Sequence, residues 1–157
     1  MSCPKELSAL EAFWRSKRGN RRLPSRSDFT PENLRPWLGN LGIVAVERAQ
    51  RLRFRVLLSG TRLDDYRGFG VTGRYLDEIC GNGFRSIRRY LDCVTRGEPV
   101  HLMHDNSSNS TIYAQMAKIL LPLSEDGATV DRILMAIYPL PANDGDSLSQ
   151  DPSALAG

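Results

Sequence analysis

The chain has 157 residues, 41% of them hydrophobic and 25% charged, which fits one globular domain at the usual ~100–200 residues per domain. This make-up excludes a disordered, collagen-like or coiled-coil chain, and no apolar run approaches the ~18 residues that would span a bilayer. The net charge of +3 hides a gradient: residues 1–40 carry +4, residues 41–100 another +4, and residues 101–157 carry −5. Nearly all the cations are arginine, with lysine only at Lys5, Lys17 and Lys118. An arginine-rich front half can meet an acidic partner or simply form a solvated surface. Charges run through Met1 to Asn20 without an apolar segment, so a secretory signal is not expected. Cys3, Cys80 and Cys93 are odd in number and widely spaced, as in a cytoplasmic protein with reduced thiols.

In chain order, residues 4–18 predict an amphipathic helix. Pro4 suits the first helical position, Leu7, Leu10 and Trp14 make one apolar face, Lys17 and Arg18 fill the last turn, and Gly19 stops it. Residues 19–40 read as an irregular linker broken by Pro24, Pro31 and Pro36, with Thr30 capping a short turn. Leu41 to Val46 predicts a buried strand, Glu47 to Gln50 a hairpin turn, and Arg51 to Val56 an alternating strand. That alternation puts Phe54, Val56 and Leu58 on one side of the sheet. The glycines at 60, 68, 70, 73, 81 and 83 leave room only for brief helices, Tyr75 to Ile79 among them. Phe84, Ile87, Leu91 and Val94 form the apolar stripe of a longer helix, with Arg85, Arg88, Arg89, Asp92 and Arg96 opposite; Cys93 lies near the polar boundary and, like Cys80, is expected to be a small buried hydrophobe.

From Glu98 the pattern is β again. Pro99 to His104 predicts an edge strand, Asp105 to Ser110 a polar loop, Ile112 to Leu123 a long apolar strand, Glu125-Asp126-Gly127 a turn, and Val130 to Tyr138 the last strand. In the last strand Ile133, Met135 and Ile137 face one way, Leu134, Ala136 and Tyr138 the other, so the sheet must be covered on both faces. Residues 141–157 read as a disordered tail after a single domain over 1–140 whose core is 41–139.

The local wording resembles a known family. Leu23-Pro24-Ser25-Arg26-Ser27-Asp28 with Pro31, Phe54-Arg55-Val56 leading to Ser59-Gly60-Thr61, Gly70-Val71-Thr72-Gly73-Arg74, Leu121 to Gly127, and Val130 to Leu134 stand in the order found in a bacterial, alphaproteobacterial-type PAS family of small proteins, once catalogued as a domain of unknown function. The resemblance covers roughly residues 6–138. It implies an α+β fold: a five-stranded antiparallel sheet with short helices and one longer helix on one face, plus the N-terminal amphipathic helix. It also implies a sensory or regulatory role in signal transduction rather than catalysis.

Other chemistry finds little support. Gly68-Phe69-Gly70-Val71-Thr72-Gly73 is a literal GxGxxG, but no apolar strand precedes it, so the glycines are read as loop formers. His101 and His104 point to opposite faces of a strand and cannot share a metal there. The long helix carries no histidine for haem, and Glu78-Ile79-Cys80-Gly81-Asn82 does not match the cysteine motif of flavin photosensors, so both cofactors are disfavoured. No GxSxG is present, Ser107 and Ser108 lie in the polar loop, and the sequons at Asn106 and Asn109 have no meaning without secretion. Arg15, Lys17, Arg18, Arg21, Arg22 and Arg26 could contact phosphates, but no aromatics interleave with them and no nucleic-acid-binding module is present.

The expectation is therefore a PAS-type module, too short for an output domain, that binds a small ligand or a protein partner and acts through another protein. The alternatives are a ligand-free adaptor and a nucleic-acid-binding regulator. The candidate pocket takes Phe54, Val56, Leu58, Ile133, Met135 and Ile137 from the sheet, with Arg53, Arg55 and Arg132 facing solvent, and Tyr66, Leu76, Ile79 and Tyr90 from the helices. A homodimer is expected from the opposite face, where Leu134, Ala136, Tyr138 and Ile112 are apolar and Lys118 interrupts. A helix of about fifteen residues, ~22 Å long and ~10 Å wide, covers only part of a sheet ~19–24 Å across. Leu7, Leu10, Trp14, Leu134 and Tyr138 are the candidate interface, unless residues 20–40, through Leu34, Trp37 and Leu38, complete the cover.

Overall fold

The computed structural model describes residues 3–79, 84–105 and 115–140, and of residues 84–86, 104 and 105 the backbone only. The elements run α1 (Lys5–Arg18), β1 (Leu41–Arg48), β2 (Leu52–Ser59), α2 (Thr61–Arg67), α3 (Leu76–Ile79), α4 (Phe84–Arg96), β3 (Val100–Asp105), β4 (Gln115–Leu123) and β5 (Arg132–Pro139). The five strands make one antiparallel sheet in the order β2-β1-β5-β4-β3. This is the α+β architecture expected. The expected tail at 141–157, the loop to Ser110, Ile112, and Cys80 lie outside the described residues.

Register divides the side chains between two faces. Val46 pairs with Phe54, Val44 with Val56 and with Ile133, Met135 with Leu120, and Ile137 with Lys118, so these share the front face. Leu41, Ile43, Leu134, Ala136, Ile119, Leu121 and Leu123 share the back face and are all buried. Helices α2 to α4 lie on the front. Tyr90 of α4 sits 5.5 Å, ring centre to ring centre, from Phe54, and a methyl on Gly42 would strike the Met135 sulfur at 2.6 Å and approach Leu63 of α2 at 3.5 Å. Gly42 thus gives β1 room to run beneath Met135.

The back is covered by α1 and by residues 20–40. Leu7, Leu10 and Trp14 are buried, and the Trp14 indole donates to the Pro122 carbonyl at 2.9 Å. Pro4 serves as the N-cap rather than the first helical residue, and Gly19 ends the helix at φ +58°. After α1, Leu23, Phe29, Leu34 and Trp37 turn inward. Phe13 meets Phe29 edge-on at 5.8 Å and stacks on Trp37 at 5.7 Å, while the Trp37 indole donates to the Glu6 carbonyl at 2.9 Å. Thr30 and Asn33 exchange side-chain-to-backbone bonds, holding the expected turn. Leu38 stays 43% exposed and takes no part.

This corrects the argument for a dimer. Leu7, Leu10, Trp14 and Leu134 are buried within one chain and Tyr138 is half-buried, so none of the first four can form a surface between copies. The linker supplies what one helix could not.

The β4–β5 connection is longer than a tight Asp-Gly hairpin, because Leu123 pairs with Arg132 and leaves eight residues between. Asp126 organises it, accepting from the Ala128 and Thr129 amides and the Ser124 hydroxyl, each at 2.8 Å, with Gly127 at φ +80°. The two amides and the hydroxyl hold the Asp126 carboxyl down at about 2.

Two outcomes test this architecture. Trp14→Ala is expected to destabilise the chain by about 3–5 kcal/mol, and Trp14→Phe by roughly 1–3 kcal/mol because the Pro122 carbonyl loses its donor; urea unfolding reads both. Since the Asp126 carboxyl is depressed on folding, its contribution is full above the ordinary carboxylate range and is lost as pH falls toward about 2. Asp126→Ala is therefore expected to be less stable than the parent at neutral pH, with the gap closing in acid.

Candidate functional site

The front face and the helices above it form the first candidate site. Of the sheet residues expected there, Phe54, Val56, Ile133, Met135 and Ile137 are in place and buried. Tyr90 lies against Phe54 and is buried, Leu76 is buried, and Ile79 is partly buried against the core. Tyr66 is half-buried, its hydroxyl accepting from the Asn40 amide at 3.0 Å; that amide also donates to the Ile137 carbonyl at 2.9 Å.

Leu58 is a correction. The β1–β2 register shifts between Ile43 and Val44: Val44 pairs with Val56, but Ile43 pairs with Leu58, leaving Leu57 as the extra residue of a bulge. The bulge turns Leu58 to the back face, where it is 46% exposed. Lys118 is the converse correction. It pairs with Ile137, so it belongs to the front face, and its ammonium lies 4.8 Å from the centre of the Tyr90 ring. Tyr90 is thereby set between Phe54 and a cation, an arrangement that only the β4–β5 register discloses.

The arginines of β2 also do more than meet solvent. Arg53 grips Asp77 through two bonds of 2.8 Å and lies 3.7 Å from the Tyr75 ring centre. Arg55 and the Tyr75 hydroxyl both donate to Glu47 at 2.7 Å. These bonds hold the Asp77 and Glu47 carboxyls below their ordinary range and push the Tyr75 phenol up. With Val56 N–H donating to the Arg74 carbonyl at 2.8 Å and Gly73 N–H to the Val56 carbonyl at 2.7 Å, the segment before α3 pairs with the outer edge of β2. The GxGxxG glycines shape this loop: Gly68 caps α2 at φ +92° and Gly73 stands at φ +89°.

Among the described side chains of α4, Tyr90 and Cys93 are fully buried, while Ile87, Leu91 and Val94 are half-buried. Cys93 is buried, as a small apolar thiol is expected to be. Burial pushes its thiol up to about 12.

On the back face, His101 meets groups that the sequence kept apart. Its Nε2 lies 2.6 Å from Glu11 and its Nδ1 3.9 Å from the exposed Cys3 thiol, and Glu11 also accepts from Arg15 at 2.6 Å. Burial alone would raise the Glu11 carboxyl, but the bonds with His101 and Arg15 outweigh it and hold it down. Arg15 belongs to a further cluster at the sheet end, a cleft of about 290 Å³ lined by Arg15, Arg18, Arg22, Arg96, Gly97, Glu98 and Pro99. Sequence spacing groups Arg15, Arg18 and Arg22, but Arg96, from the far end of α4, joins them only in the fold.

A model of the PAS domain family matches residues 3–138. No curated protein matches the chain. Among solved structures, the light-state LOV domain of the blue-light photoreceptor Aureochrome1 is similar at 11% identity and a TM-score of 0.49, covering 71% of this chain and 88% of that one. That likeness is too slight to carry an argument about function. The family model spans most of the chain, and the chain belongs to the PAS domain family, a family of sensory and signalling modules. Among the described residues no helix is long and apolar enough to cross a membrane.

The two described thiols should differ sharply. Cys3 is exposed, and Cys93 is buried with its thiol near 12. Alkylation at pH 8 followed by peptide mass mapping is expected to modify Cys3 in the native protein and Cys93 only after unfolding.

Proposed function

We propose that this PAS domain is a regulatory module whose output is an altered contact with another protein. The observation that carries this reading is the state of the front-face core. The wall of a ligand cavity presents apolar surface to the void, yet Phe54, Tyr90, Ile133, Met135 and Ile137 are each at most 5% exposed. A ligand would have to displace side chains that now pack on one another, whereas a partner protein needs only the outer surface. Leu38, Leu58, Phe69 and Met103 supply large apolar side chains there.

A second reading, a small ligand held against the front face, is favoured by the polar groups set into that face. The Lys118 ammonium over Tyr90, and the Tyr66 hydroxyl held by Asn40, are the groups that would orient such a molecule. Neither reading needs a second copy of the chain to cover the back of the sheet.

Native mass spectrometry of the freshly purified protein separates the two. The partner-only reading expects the bare 17.6 kDa chain or whole multiples of it. A small molecule retained in fixed stoichiometry overturns that reading in favour of the ligand.

A further inference from the structure

Arginines at the end of a helix ordinarily cap its last carbonyls. In α1 that work falls to Arg21, which donates to the carbonyls of Lys17 and Arg18 and pairs with Asp28 at 2.8 Å. Arg15 is neutralised by Glu11. Arg18, Arg22 and Arg96 line the cleft at the sheet end with no carboxylate in ion-pair range among the described residues.

Each of the three is placed by the fold. Arg18 lies with its guanidinium carbon 5.2 Å from the centre of the Trp14 ring, and its Nε is buried without an acceptor. A buried donor without a partner is rare in a finished structure. Arg22 is fixed by donating from Nη1 to the Ala128 carbonyl at 3.0 Å. Its Nη2 occupies the space beside Gly97, 3.0 Å from where a β-carbon would stand, in a turn whose φ of +65° favours glycine. Arg96 is the last residue of α4 and is exposed.

Three unpaired guanidiniums against the one carboxylate of Glu98 leave the cleft with a net charge of about +2. Its complement is a compact dianion. A phosphate group carries about −1.5 to −2 at neutral pH and offers several acceptor oxygens, and guanidinium edges match phosphate in two-pronged geometry. We infer that the cleft formed by Arg18, Arg22 and Arg96 is a binding site for the phosphate group of a small soluble molecule. Such an anion would join α1, which lies on the back of the sheet, to the end of α4, which lies on the front. Occupancy would then fasten the two helical layers together at one end of the sheet. This site stands on its own geometry and is independent of whether the front-face core holds a ligand.

The test is calorimetric titration of the full chain with inorganic phosphate and with inorganic pyrophosphate, at low and at physiological ionic strength. One pyrophosphate per chain is expected, bound more weakly as salt rises. Arg18→Gln and Arg96→Gln are each expected to weaken binding by about tenfold or more, the loss of a charge-assisted hydrogen bond, while Arg48→Gln, at an exposed arginine elsewhere, leaves it unchanged. Arg96 is exposed, so R96Q retains the fold if R18Q does not. The inference is overturned if the parent binds neither pyrophosphate nor phosphate, or if R48Q weakens binding as much as R96Q. It is also overturned if the protein pelletes with phosphatidylserine vesicles or shifts with DNA while ignoring pyrophosphate.

Discussion

The constraint that organises this molecule is a sheet whose central strands are apolar on both sides. Ile119, Leu120, Leu121 and Leu123 in β4, and Ile133, Leu134 and Ala136 in β5, have no contact with water on either face. A strand of this kind is stable only inside a sandwich, and here both covering layers come from the chain's own sequence. The cover is asymmetric. The front receives three helices inserted between β2 and β3, and the back receives α1 with the proline-broken linker that follows it. Trp14 joins the two requirements, filling the back layer while its indole satisfies the Pro122 carbonyl.

Much of this was legible in the residues. The i, i+3, i+7 spacing of Leu7, Leu10 and Trp14, the alternation from Arg51 to Val56, and the two apolar faces of Ile133 to Tyr138 located the helix, the hairpin and the central strand correctly. Two features are not legible, each for a definite reason. Leu58 continues the alternation in sequence, but an unpaired Leu57 breaks it in space, and no residue type announces a bulge. The face of Lys118 cannot be read from sequence, because facing across two strands depends on their register, which eight connecting residues leave open. The back cover was under-read because irregular chain has no period, although Leu23, Phe29, Leu34 and Trp37 were present as apolar residues throughout.

The cluster of arginines shows the same division. Composition revealed their excess, and spacing grouped those of the first helix, but Arg96 joins them only because α4 ends where β3 must begin. Gly97 is the residue that makes this juncture tight, since its left-handed backbone both stops α4 and admits the Arg22 side chain. A local rule for ending a helix and a long-range contact are met by one glycine.

The order of strands across the sheet has a consequence for how the molecule comes into being. β5, the last strand in the described chain, occupies the centre, paired with β1 on one side and β4 on the other. During synthesis on a ribosome, β1–β2 and β3–β4 can each pair as soon as they emerge, yet the two hairpins have nothing to join them until residues 132–139 are released. Until then β1 and β4 both carry open edges flanked by apolar side chains, the surface on which strands of different molecules add to one another. Contacts such as Leu41 with Ala136 close a loop that spans nearly all of the sheet-forming chain, which places this fold among the slower topologies, with folding on a scale of roughly milliseconds to seconds. The keystone of the finished sheet is thus also the interval of greatest exposure for the nascent chain.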